Sequence, residues 1–281
     1  MLYALIAAVT DAGGLLLDKI ILARERVTLR VYLPILFAFV FILTAVLWPT
    51  LGRVDWELLR LTNTMFLFLI MIVTAIAWNV LFYQSVQREN VQQHELVVMT
   101  APLVTVVLAA VFFPEDLNYK VLILAIIASL ALIFAKGGRQ HFALNRTSYN
   151  TLLGVVLMSV ESIIAKELLY TFTPVALYAS RTFFLALFFF FYYRPQLGRV
   201  EVKHYWMIFW SALIGVVSML TKYYAFSDLG VVYTTMIGIL APVLVFFLSW
   251  EILHEKVRFR MILGSLIVLV CVALATVITV Q

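Results

Sequence analysis

The chain has 281 residues, 64% of them hydrophobic and only 12% charged, with a formal net charge of +5. Soluble domains run at about 45–50% apolar and about 25% charged, so this composition excludes a disordered chain, a secreted disulfide scaffold and an ordinary cytosolic enzyme. The single cysteine, Cys271, sits in an apolar run, which excludes an intramolecular disulfide and a thiolate metal cluster.

A spanning helix needs about 20 apolar residues, and the apolar runs predict an all-α membrane protein with ten transmembrane helices. In chain order they fall at 2–22, 31–49, 61–83, 91–113, 118–135, 150–170, 173–193, 205–226, 229–250 and 259–280. Barrel strands are excluded by run length, because they alternate over about ten residues. Asp11 lies at the centre of the first run and no basic region precedes it, so that run reads as a spanning helix rather than a signal peptide. The one sizeable polar connector, 136–149, separates a first five-helix half, 1–140, from a second, 150–281.

The halves are related. Pro49-Thr-Leu-Gly-Arg-Val54 after helix 2 returns as Pro195-Gln-Leu-Gly-Arg-Val200 after helix 7. Tyr83, Val91, Ala101, Pro102 and Glu115 return 140 residues later as Tyr223, Val231, Ala241, Pro242 and Glu255. Asp11 and Glu161, 150 residues apart, take equivalent depths in helices 1 and 6. Five spans is an odd number, so the second copy must cross in the opposite direction. Inverted repeats place a site near the midplane, where the halves meet and can rock against each other.

Thirteen of the 20 bases lie in the loops joining helices 1–2, 3–4, 5–6, 7–8 and 9–10; the opposite side has only Arg53, Arg60 and Lys120. The positive-inside rule makes the basic side cytoplasmic and puts both termini outside.

An acid at a helix centre costs roughly 2.5–3.5 kcal/mol on insertion scales and needs a polar partner or a cavity. Asp11 and Glu161 therefore read as substrate contacts or protonatable switches, the alternative being a buried ion pair that fixes packing. Lys166 lies about 140° around its helix from Glu161, so an acid for it must come from another helix, unless Glu161 reaches around. Arg181, about eight residues into helix 7, suits an internal ion pair or a cavity role. Asp18 and Lys19, near the end of helix 1, read as side chains snorkelling to the interface. Lys222, beside Tyr223, reads either as an anion contact flanked by aromatics or as a lysine in an aromatic belt. Trp78, Asn79 and Tyr83 give helix 3 a mixed aromatic and polar end, suited to a metabolite or to interhelical hydrogen bonding. Pro102 and Pro242 are expected to kink helices 4 and 9, and Glu115 and Glu255 to cap the helices that follow.

Enzyme motifs are missing. His94-Glu95 and His254-Glu255 begin like a zinc-protease signature, but Val98 and Arg258 stand where the second histidine must fall. No metal or cofactor is implied. The partners implied are a small-molecule substrate and the lipid bilayer, not nucleic acid, and no oligomeric state is assigned.

Two five-helix repeats, each with Ala-Pro in its fourth helix and a glutamate thirteen residues beyond, resemble the EamA-like ten-helix members of the drug/metabolite transporter superfamily. Thr173-Pro174 followed by Arg181 also resembles the family's pattern. The resemblance implies alternating access through a central cavity lined by helices 1–4 and 6–9, with helices 5 and 10 peripheral. Two features depart from it. Ile35 or a neighbour stands in helix 2 where the counterpart of Arg181 would fall, and the family is usually drawn with cytoplasmic termini.

The expected function is a secondary transporter, in the plasma (inner) membrane, of a small polar or amphipathic metabolite. An amino-acid-like zwitterion fits, because embedded bases are roughly matched by embedded acids. Proton coupling is expected from a buried acid that changes charge as access alternates. The alternatives are a lipid-linked substrate flippase, which needs a cavity open sideways, and a non-transporting membrane scaffold.

Overall fold

A computed structural model describes every residue except 26, 89–96, 115–117, 138–145, 198–199, 254–258 and 281, and gives the backbone alone at 23–24, 88, 136–137, 146–148, 249–253 and 279–280. The first helix, α1, spans Leu2–Lys19 and runs on as a π-helical turn, Ile20–Arg24. Then come α2 (Leu29–Leu51), the short α3 (Trp56–Leu59) and α4 (Thr62–Arg88). The first half closes with α5 (Ala101–Phe112) and α6 (Tyr119–Gly137). The second half holds α7 (Arg146–Leu168), α8 (Pro174–Tyr193), α9 (Val202–Gly238), α10 (Leu240–Leu253) and α11 (Phe259–Val280).

Among the described residues five stretches are long and apolar enough to cross a membrane: Leu29–Leu51, Thr62–Gln87, Pro174–Tyr193, Val202–Leu248 and Phe259–Ile278. α1 and α7 are less apolar because Asp11, Asp18, Glu161 and Lys166 interrupt them. Such helices avoid lipid only by packing inside the bundle. α1 does so with small residues, burying Ala4, Ala7, Ala8 and Ala12.

The packing repeats itself under exchange of the halves. α1 lies along α9, and its counterpart α7 lies along α4. Two pairings are their own counterparts: α2 with α8, and α6 with α11. Direction follows from two contacts at the ends of the bundle. Val54, after α2, forms an antiparallel bridge with Phe172, before α8, and Asp55 N–H donates to the Thr171 carbonyl at 2.9 Å. At the other end Lys203, starting α9, donates to Glu25, after α1, at 2.9 Å. The segment after α7 thus lies on the side where α1 begins, so α7 runs opposite to α1 and the copies are inverted.

Three positions locate breaks within the long apolar runs. The junction between predicted helices 8 and 9 falls at Gly230, whose φ of 75° and ψ of 171° suit glycine and interrupt the helical geometry within α9. Pro102 and Pro242, expected to kink helices 4 and 9, stand in the first turn of α5 and of α10, each just past a local break in the regular helix at which Thr100 and Ile239 keep right-handed helical φ and ψ. Proline is tolerated there, because the N–H it lacks would have no helical partner. A turn at Met99–Thr100 precedes α5 and another at Ile239 precedes α10, so both halves interrupt their fourth helix just before Ala-Pro.

Candidate functional site

The halves enclose a cavity of about 410 Å³, lined by residues of α1, α2, α4, α5 and α7–α10, with Met261 of α11 also on its wall. This lies within the range of small-molecule pockets, about 300–1,000 Å³. Its space comes from small residues: Ala4, Ala7, Ala8 and Gly14 on α1, and Gly215 and Gly238 on α9. Most of the wall is apolar, but three carboxylates and two bases open onto it: Asp11, Asp18, Glu161, Arg181 and Lys222.

Glu161 and Arg181 form one unit. The guanidinium donates through Nε to Oε1 and through Nη2 to Oε2, the latter at 3.3 Å. Trp78 Nε1 donates to the same carboxylate from α4. Arg181 and Glu161 are only 2% and 4% exposed, so this pair is shielded and its charges cancel locally. The guanidinium also sits 5.8 Å from the centre of the Tyr178 ring.

Asp11 faces α9, where Ser218 Oγ donates to it at 2.6 Å. Lys222, one turn further along α9, rests 5.7 Å from the Phe226 ring centre. Neither Asp11 nor Lys222 has an ionic partner among the described residues. Tyr223 packs edge-on against Tyr178, and its buried hydroxyl has no hydrogen-bond partner among the described residues.

Asp18 stands deeper along α1, seven residues from Asp11 and so within about 20° of the same helix face. It accepts from Tyr32 Oη on α2 and from Ser211 Oγ on α9, both at 2.5 Å, and from Tyr83 Oη on α4 at 3.3 Å.

The family model of the EamA-like transporter family matches residues 1–136 and 148–277. The chain belongs to that family. It is therefore an integral multi-pass membrane protein with the outline of a transporter. One solved structure, described only as a crystal structure of a protein, matches with a TM-score of 0.79 and 14% identity, over 99% of this chain and 96% of that one. At that identity the likeness is one of fold. No curated protein sequence matches.

In this EamA-like transporter the structure gathers Asp11, Trp78, Asn79, Tyr83, Glu161, Arg181, Lys222 and Tyr223 around one cavity, with Pro102 and Pro242 also on its wall. Asn79 turns its Nδ2 back onto the Ala75 carbonyl at 2.8 Å, so its amide is engaged within its own helix. Lys166 stands apart: its Nζ donates to the Phe226 carbonyl at 2.9 Å, behind the wall. Glu115 and Glu255 lie outside the described residues. Among the described residues no cluster of three His, Cys, Asp or Glu could hold a metal.

Asp18 corrects the sequence reading, which placed it at the interface. The signal available was its spacing from Asp11: two acids seven residues apart share a helix face, and a lipid-facing pair would be costly. Its partners, Tyr32 and Ser211, gave no sequence signal, because they arrive from helices 14 and 193 residues away.

Proposed function

We propose that this EamA-like transporter carries a small amphipathic, amino-acid-like metabolite by alternating access, rocking its inverted halves about the central cavity. The observation that carries this reading is that Asp11 and Lys222 open onto one cavity without ionic partners among the described residues. Ser218, donating to Asp11 one turn before Lys222, ties the two to adjoining positions on the wall. A substrate ammonium would take Asp11 and a substrate carboxylate Lys222. Each contact is charge-assisted and therefore stronger than a neutral hydrogen bond. Tyr223 adds a hydroxyl beside them, and Trp78, Phe82 and Phe226 give an apolar wall for the side chain.

Glu161 takes a different part from the one its midplane position suggests alone. Its carboxylate is engaged by Arg181 and Trp78, so it shapes the pocket and fastens α4, α7 and α8. The experiment is a thermal-shift screen of purified protein against zwitterionic amino acids and their singly charged analogues. The expected result is stabilisation by zwitterions alone. Equal stabilisation by analogues lacking the amine or the carboxylate contradicts the reading.

A further inference from the structure

We propose that Asp18 is a proton-binding site whose charge state fastens or frees the two halves, a role that rests on the transporter reading and supplies its coupling ion. Asp18 opens onto the cavity, so water there can bring it a proton. Unlike Glu161, it has no ionic partner among the described residues. Unlike Asp11, it faces a closed set of hydroxyls, Tyr32, Tyr83 and Ser211. Hydroxyls stabilise a carboxylate by donating to it but leave its charge uncancelled, which in a low-dielectric setting is costly.

The groups facing Asp18 can be named helix by helix. Tyr32 comes from α2 and Tyr83 from α4, while Asp11 of α1 and Tyr178 of α8 share the same cavity wall. α9 contributes Ser211, which does not titrate. Among the described residues no base forms an ion pair with Asp18. A proton is thus the one counter-charge that needs no rearrangement of the wall.

Binding it changes the connections between the halves. A carboxylate accepts from all three hydroxyls at once; a carboxylic acid must use one oxygen to donate. Ser211 belongs to the second half and α1, α2 and α4 to the first, so the Ser211–Asp18 bond crosses between them. Tyr32 Oη and Ser211 Oγ are already 3.2 Å apart and can pair with each other when Asp18 turns away. Chemically the step is simple. One proton from cavity water joins a carboxylate oxygen, hydrogen bonds rearrange, and the same proton leaves to water when the site faces the other side.

The test uses the purified full-length chain and no substrate, so its failure is distinct from failure of the amino-acid reading. Infrared difference spectra across a pH titration should show a carboxyl band that Asp18→Asn abolishes and Asp11→Asn retains, and Ser211→Ala should displace its midpoint. In parallel, a cysteine placed by Gly215→Cys in a Cys271→Ser background reports opening. Its modification rate relative to the same cysteine in Asp18→Asn should change across that pH range. A band that survives Asp18→Asn, a midpoint unmoved by Ser211→Ala, or a rate ratio independent of pH would overturn the proposal.

Discussion

Arg181 and Glu161 pair side-on between α8 and α7, with Trp78 of α4 closing the carboxylate from the first half. Removing one partner of such a pair leaves an uncompensated buried charge and costs about 3–5 kcal/mol, whereas replacing both is far milder. Arg181→Met should therefore unfold at lower denaturant than Arg181→Met/Glu161→Leu in detergent micelles. A double variant as unstable as the single one would show that the pair contributes more than mutual neutralisation.

α6 and α11 meet at Gly264. A Cβ built there would lie 2.5 Å from the Ala135 Cβ and 3.2 Å from the Ala131 carbonyl oxygen. Close contact through small residues is how helices associate where lipid removes the hydrophobic drive. Gly264→Ala should destabilise by roughly 1–3 kcal/mol, the usual cost of overpacking. Ala135→Gly on the facing helix should restore part of it. Unfolding curves of the two singles and the double decide this.

Glu25 joins the π turn after α1 to the start of α9, accepting from Lys203 at 2.9 Å with His204 Nε2 at 3.6 Å. The hydrogen bond from Lys203 holds its carboxyl below the ordinary value of 4.5. A depressed carboxyl contributes stability that is complete above the ordinary value and lost as pH falls through the lower, folded one. Glu25→Gln should thus speed hydrogen exchange at this end of the bundle at neutral pH. The difference from wild type should vanish in acid below the glutamate range. A difference that persists at low pH contradicts the tie.

Much of the fold was legible in the sequence because the bilayer imposes it: run lengths set the helices, and an odd count with a repeated Pro-x-Leu-Gly-Arg-Val set their inversion. The break at Gly230 falls beside the predicted junction, where Ser227 and Asp228 interrupt the apolar run. The breaks before the two Ala-Pro positions were not legible, because hydropathy is flat there and backbone geometry, not polarity, sets them. The site was half legible. Asp11 and Glu161 stood out as midplane acids, but their partners come from other helices: Ser218 for one, Arg181 and Trp78 for the other. Asp18 was misplaced because depth along a helix says nothing about which face meets the cavity.

Tyr223 offers a case where stability and function should move in opposite directions. A buried hydroxyl without a partner costs about 1–3 kcal/mol, and this one lacks a partner among the described residues. Tyr223→Phe should leave the empty protein as stable as wild type or more so, while weakening binding of a zwitterionic ligand found by thermal shift. Asp11→Asn and Lys222→Gln should weaken it further, each by at least about tenfold, the ratio for 1.4 kcal/mol. Isothermal titration gives both comparisons, and unchanged affinity in all three would remove these residues from the site.

The account as a whole requires a water-filled cavity between inverted halves that opens to each side in turn. Gly215 lines that cavity, and a Cβ there meets no atom within 4 Å, so a cysteine fits. In a Cys271→Ser background, a membrane-impermeant thiol reagent applied to right-side-out and to inside-out vesicles should modify Gly215→Cys from either side. The same reagent should spare Val73→Cys on the outer face of α4, where the residue is 66% exposed. Modification of Gly215→Cys from one side only, under every condition, would contradict alternating access.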